Sequence, residues 1–315
     1  MTEAFTLAAI QAAPVLFDKR ASLEKACDLI AQAAARGADL CAFGETWLPG
    51  YPFFVDGPTG RLLWEASADY LANAIRIPGP ETEHLCRLAK DLGVDIAIGV
   101  AELDAHTAGT AYCTLLFIGR EGIVLGRHRK LKPTHAERLV WGDGDAAGLV
   151  THDRSYGKIS GLNCWEHQMM LPGYTLVAQG TQIHVAAWPG RMGDPPAEEY
   201  CWTRQIVLSR AFAAQAAAYV ICAGGVRLKT DIPDKYRPLG DWEHNGGSCI
   251  IDPRGEIIAG PMDAQTEGEG ILMARGNLDV VRRAKAASDI AGHYSRPDVF
   301  ELHVRRDARR TLVLD

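Results

Sequence analysis

Short, almost wholly apolar runs recur along this chain to about residue 277, and the segments between them alternate in kind. Residues 5–11, 40–43, 158–162, 182–188 and 219–224 read as buried strands. Between several of them the spacing predicts helices. Residues 22–36 set Leu23, Ala26, Cys27, Ile30, Ala33 and Ala34 on one face, and Gly37 follows as a left-handed stop. Residues 81–92 repeat the pattern with Leu85, Leu88, Ala89 and Leu92. Residues 61–73, 169–179, 198–218 and 278–287 also read as helical. Elsewhere strands adjoin through tight turns: 111–118 and 123–129 across Gly119-Arg120-Glu121-Gly122, and 248–252 and 256–259 across Pro253-Arg254-Gly255. Residues 95–102 and 270–277 complete the strands, and residues 227–245 show no period. Strands apolar on both faces must be covered on both. Crossovers and hairpins together make mixed sheets with helices outside, so an α/β fold is expected. No repeat or linker interrupts residues 1–315, which points to a single domain with a short tail from about 301.

The net charge of −6 is spread along the chain, so nothing marks a surface for nucleic acid or an anionic membrane. No apolar run reaches the length of a membrane span. Met1-Thr2-Glu3-Ala4 lacks the features of a secretion signal, and a cytoplasmic location is expected. The eight cysteines, at 27, 41, 86, 113, 164, 201, 222 and 249, include no Cys-x-x-Cys pair, and the histidines show no metal-ligand spacing. That spacing argues against a metal site.

Three residues at strand ends carry chemistry: Glu45, Lys130 and Cys164. Cys164 sits where a strand gives way to a helical run, so backbone N–H groups there would favour its thiolate. A nucleophilic thiol needs a base, and a carboxylate serves if an enclosed site raises its pKa. Glu45 follows the apolar run Leu40-Cys41-Ala42-Phe43 and suits that role. Lys130 supplies a cation where negative charge would develop. Taken singly, each has an ordinary reading: Cys164 as a small core residue, Glu45 as a cap, Lys130 as one of a solvated basic cluster, Glu137 as a partner of Arg138 or a nearby lysine.

Taken together the stretches are more specific. Gly44-Glu45-Thr46-Trp47-Leu48-Pro49-Gly50-Tyr51-Pro52 resembles the glutamate motif of the nitrilase superfamily. His128-Arg129-Lys130-Leu131-Lys132-Pro133-Thr134, running on through Glu137-Arg138 to Trp141-Gly142, resembles its lysine motif. Gly161-Leu162-Asn163-Cys164-Trp165-Glu166-His167 resembles its cysteine motif, and the order is that of the family. The Pro-Thr-x-x-Glu-Arg-x-x-Trp-Gly run and Gly292-His293-Tyr294-Ser295-Arg296-Pro297 are similar to the true nitrilase branch.

The resemblance implies a four-layer α-β-β-α sandwich of two six-stranded sheets. It implies a site with no metal or organic cofactor, with Glu45 as base, Lys130 as cation, Cys164 as nucleophile and Glu137 as the group that orients Lys130 and the substrate. Tyr51, Trp141, Trp165 and Trp188, in or beside the site stretches, are the candidate substrate-binding residues. The implied reaction takes an organic nitrile to the carboxylic acid and ammonia through a covalent thioimidate. An amidase or carbamoylase of the same superfamily is the alternative, followed by a silent binding protein of the same fold. The implied partner is a second copy, paired through residues 169–179 and 198–218, as a dimer or a building block of higher oligomers. Three departures stand out: Ala146 where glycine is common, Pro172 early in the helix after the cysteine, and a short segment after Phe300.

Overall fold

The computed structural model describes residues 4–190 and 199–308, without the side chains of residues 199–203. The strands are β1 (Ala4–Gln11), β2 (Leu40–Ala42), β3 (Asp95–Leu103), β4 (Ala111–Gly119), β5 (Ile123–Arg129), β6 (His152–Arg154), β7 (Gly157–Asn163), β8 (Ile183–Trp188), β9 (Tyr219–Gly224), β10 (Val226–Arg227), β11 (His244–Ile251), β12 (Ile257–Asp263) and β13 (Gly270–Asn277). The helices are α1 (Lys19–Ala35), α2 (Arg61–Asn73), α3 (Pro80–Leu92), α4 (Met170–Ala178), α5 (Glu199–Ala216), α6 (Ala264–Glu267) and α7 (Leu278–Ala287).

The first sheet runs β13-β1-β2-β3-β4-β5, with β1, β2 and β3 parallel and the other pairs antiparallel. The second runs β10-β11-β9-β8-β7-β6, with β12 also on β11 and with β7, β8 and β9 parallel. It therefore has seven strands, not six, because the two-residue β10 adds an edge on β11.

Alternate side chains of a strand point to opposite faces, and here both faces are covered. Leu7 and Ala9 of β1 join Leu40, Ala97 and Leu115 against Ile159, Val185, Ile221 and Ile250 of the other sheet. Ala8 and Ile10 of β1 turn the other way, under Ala26 and Ile30 of α1 and Leu85 and Ala89 of α3. On the far side, Ala186, Val220, Cys222 and Ile251 meet Val177 of α4 and Phe212, Ala213 and Ala216 of α5. These are the four expected layers. Each fully buried Leu or Ile side chain contributes roughly 1.5–3 kcal/mol. Asp18 caps α1 by accepting from the Ala21 N–H, and Gly93 ends α3 with φ 66°.

The sequence expectation missed β6, α6 and the start of β11, which reaches back to His244. The helix expected over residues 169–179 is present, but the segment between it and Cys164 carried no assignment. A 3-10 turn, Cys164–Gln168, intervenes, and α4 begins only at Met170. Residue 198 of the expected helix lies outside the described residues.

Candidate active site

In both sheets the parallel strands end on the same side of the sandwich, where α/β proteins place their sites. Glu45 lies just past β2, and its N–H donates to Trp188 O at the end of β8 at 2.9 Å. That approach requires Gly44: a Cβ there would stand 2.7 Å from Gly225 N and 2.8 Å from Trp188 O. Lys130 lies just past β5, its N–H held by Cys113 O at 2.7 Å. Glu137 sits on the 3-10 turn His135–Leu139, where its Oε2 accepts from the Thr134 N–H at 2.6 Å. Cys164 closes β7. Thr46, His135 and Cys164 all hold positive φ, 43°, 46° and 48°, a conformation rare outside glycine. Three such residues beside the same cluster mark backbone shaped for side-chain placement rather than for ease.

The structure brings the expected residues together. Lys130 Nζ donates to Glu45 Oε1 at 2.8 Å and to Glu137 Oε2 at 2.7 Å, with all three side chains buried. The Cys113 thiol donates to Glu45 Oε1 at 3.4 Å, while Glu45 Oε2 is buried without a partner. Glu137 thus pairs with Lys130, whereas Arg138 donates to Pro133 O. Tyr51 Oη donates to Glu137 Oε1 at 3.0 Å. Cys164 and Glu137 line a cavity of about 320 Å³ together with Tyr51, Trp165 and Trp188. Glu45 and Lys130 lie behind that lining. Trp141 does not line it either: its Nε1–H donates to Tyr70 Oη at 3.2 Å, and its ring packs edge-on behind Tyr51 and 5.6 Å from Lys130 Nζ.

Burial and Glu137 push the Glu45 carboxyl up, against the pull of Lys130, to about 7. Burial opposes the Lys130 ammonium, but Glu45 and then Glu137 outweigh it and hold its pKa well above the ordinary value. For Cys164 the balance differs from the sequence expectation. The Trp165 N–H and Lys130 favour the thiolate, but burial and the Glu45 carboxylate outweigh them, so the resting group is a thiol. It ionises only as its proton finds an acceptor.

Several residues of the site carried no role in the sequence reading. Glu166 is buried beside the cluster: His128 Nε2 lies 3.0 Å from each of its oxygens, and the N–H groups of Leu131 and Asn163 donate to it at 2.8 Å each. It ties the lysine stretch to the cysteine stretch. His167 Nδ1–H donates to Cys164 O at 2.7 Å and its ring stacks on Trp188. Both residues stood in the quoted motifs, which was the available signal. Phe53, Arg227, Trp242 and His244 complete much of the cavity wall, and three of these come from the segment without a period. Among the described residues no cluster of His, Cys, Asp or Glu has the disposition of a metal site.

Comparison with known proteins agrees with this geometry. The family model described as carbon-nitrogen hydrolase matches residues 6–286. A protein named Nitrilase 2, from an unknown prokaryotic organism, is 52% identical over 309 residues, covering 98% of this chain and 95% of that one. An aliphatic nitrilase of Rhodococcus rhodochrous is 35% identical, covering 96% of this chain and 83% of its own. Among solved structures, Nit3 of Saccharomyces cerevisiae, a member of branch 10 of the nitrilase superfamily, superposes with a TM-score of 0.71 at 19% identity, covering 92% of this chain and 96% of that chain. The last likeness speaks for the fold alone. The match of the family model from the first strand into the last helix, and identity sustained over nearly the whole length, place this chain in the carbon-nitrogen hydrolase family, the nitrilase superfamily.

Proposed function

We propose that the protein is a nitrilase, converting an organic nitrile and two waters to the carboxylic acid and ammonia. One observation carries the reading: Glu45, Lys130 and Glu137 form one buried hydrogen-bonded cluster whose charges act on the Cys164 thiol, and Glu45 keeps one oxygen unpartnered and a pKa of about 7. A carboxyl at about 7 can take a proton and return it within one cycle. The Cys164 sulfur attacks the nitrile carbon as its proton passes to Glu45, and the nitrile nitrogen is protonated to give a thioimidate. One water adds, and ammonia leaves behind a thioester. A second water releases the acid and restores the thiol. Lys130 and the Trp165 N–H face the charge that develops, and Glu137 with Tyr51 holds Lys130 in line. Tyr51, Trp165 and Trp188 supply the contact surface for the substrate, with Trp141 supporting Tyr51 from behind. The relatives named nitrilase and aliphatic nitrilase favour a nitrile over an amide.

The test is a nitrile and its matching amide assayed side by side on wild type and Cys164→Ala. Acid from the nitrile by wild type alone is the expected result. Turnover of the amide without the nitrile would favour an amidase. Activity in Cys164→Ala above a tenth of wild type would overturn the mechanism.

We also propose a two-fold dimer through α4 and α5. Met170 is 82% exposed, Leu171 63% and Val207 54%, around a groove lined by Val177, Leu208 and Phe212. An apolar surface of that kind calls for a partner. Light scattering at micromolar concentration should give at least twice the chain mass; a stable, active monomer rules the dimer out. The described cysteines are all free thiols, which suits a reducing cytoplasm, and among the described residues no helix is long and apolar enough to cross a membrane.

A further inference from the structure

The wall of the cavity contains a buried cation that the proposed mechanism does not use. Arg227 on β10 is only 3% exposed. Its Nε donates to Trp242 O at 2.9 Å, and Nη2 reaches the same oxygen. Nη1 is buried with no hydrogen-bond partner, and Arg227 forms no ion pair among the described residues. The guanidinium carbon also lies over the Phe53 ring, 5.5 Å from its centroid. Burial lowers its pKa to about 10, which leaves it charged at neutral pH.

A second unpartnered group lies beside it. Arg227 and His244 are directly opposed in the antiparallel β10–β11 ladder, so their side chains share one face. His244 Nδ1 is also buried without a partner. The His244 ring meets the edge of Tyr51 at 5.2 Å, and Tyr51 in turn donates to Glu137. Arg227, His244, Tyr51 and Cys164 line the same cavity. Within that one cavity Tyr51 bridges the two regions, with its ring against His244 and its hydroxyl on Glu137.

Buried charges in proteins are paired, and an unpaired one asks what completes it. The nearby carboxylates do not. Asp56 also lines the cavity but is exposed, Asp231 accepts from the Leu228 N–H, and Glu243 accepts from Lys229 and Gln265. An unpartnered guanidinium N–H beside an imidazole, on two residues that line one cavity, is chemistry that binds a carboxylate.

We propose that Arg227, with His244, forms a carboxylate-binding subsite, and that the preferred substrates are nitriles bearing a carboxylate at the end remote from the cyano group. This rests on the nitrilase reading above and names its substrate class. The chain between the two groups spans the Tyr51 ring, and Phe53 bounds it laterally.

The experiment compares straight-chain ω-cyano carboxylic acids with neutral alkyl nitriles of equal length. Wild type should favour the acid in kcat/KM by at least about tenfold at the best length, the effect of one charge-assisted hydrogen bond. Arg227→Gln should lower that ratio by about tenfold or more, chiefly through KM, and Arg227→Lys should retain part of it. A wild-type ratio of one or less at every length overturns the proposal, as does an unchanged ratio in folded Arg227→Gln. Should Arg227→Gln fail to fold, because Trp242 O loses its donors, the wild-type ratio and Arg227→Lys decide. Calorimetric titration of Cys164→Ala with the same two ligands separates the subsite from the chemistry. Tighter binding of the cyano acid with no turnover by wild type sinks the nitrilase reading and keeps the subsite. Turnover of nitriles with no preference for the acid in binding or rate does the reverse.

Discussion

The stretch from His128 to Leu131 holds a buried glutamate on each side, and the two are opposites. Glu166 accepts at both oxygens, from the backbone of Leu131 and Asn163 and in contact with His128 Nε2. Although burial opposes its charge, His128 and those N–H groups hold its pKa below the ordinary value. Glu45 has one oxygen occupied by Lys130 and Cys113 and the other left bare. Its carboxyl rises to about 7. The two side chains are equally buried, so depth does not separate them. The neighbours do: Glu45 faces the Glu137 carboxylate and has fewer donors, whereas Glu166 has His128 and two backbone N–H groups. A carboxylate whose lone pairs are filled is a brace, and one left short is ready to accept a proton.

Glu45→Gln is the sharpest way to break this contrast. It should lower kcat by roughly 10²–10⁴-fold, as loss of a general base does, with the folded structure kept. Near-wild-type turnover at saturating nitrile would end the role assigned to Glu45. Glu166→Gln should act on stability instead. Either way round, an amide there turns its NH2 toward the backbone N–H of Leu131 or of Asn163, leaving a donor facing a donor, at a cost of about 3 kcal/mol. Denaturant unfolding measures it, and an unchanged midpoint would show that Glu166 is no brace.

Dependence on pH sharpens the contrast further, because the signs differ. Glu45 has a folded pKa above its unfolded value, so its contribution falls as pH rises from about 4.5 to about 7. Glu166 has a lowered folded pKa, so its contribution is present above about 4.5 and lost as pH falls below that. The stability difference between wild type and Glu45→Gln should therefore shrink or reverse toward pH 8. The difference for Glu166→Gln should grow as pH climbs from the acid side. Parallel slopes for the two variants would erase the distinction. The smallest effect belongs to Tyr51→Phe. Removing one hydrogen bond to Glu137 should lower kcat/KM about fivefold, equivalent to about 1 kcal/mol, with stability nearly unchanged. A hundredfold loss would give Tyr51 a larger part than holding Glu137.

How much of this was legible depended on whether local pattern or distant contact decided each feature. The helix over residues 61–73 and the strands over 123–129 and 270–277 appear as read, because burial on one face or both writes a period into the sequence. Residues 227–245 did not disclose β10 or the start of β11: their short pairings are set by neighbours across the sheet, and no period is needed for two residues. For the same reason the sequence carries no signal at Arg227 and His244. Trp141 looked like a pocket residue and lies behind one, since aromatic composition does not say which way a ring faces. The thiol was expected to be favoured as thiolate by its turn, and burial reversed the balance.

What the sequence determined by itself is the succession of strands and helices and the three stretches whose order and composition mark Glu45, Lys130 and Cys164. Those rest on periodicity and on residue type, which are local. Tertiary structure alone decided which oxygen of Glu45 stays bare, which carboxylate is filled and which cation is left unpaired in the cavity wall. These depend on donors from strands far apart in the chain, such as Cys113 beside Glu45 and Trp242 beside Arg227. A buried group takes its charge state from the few atoms around it, and only folding places them there.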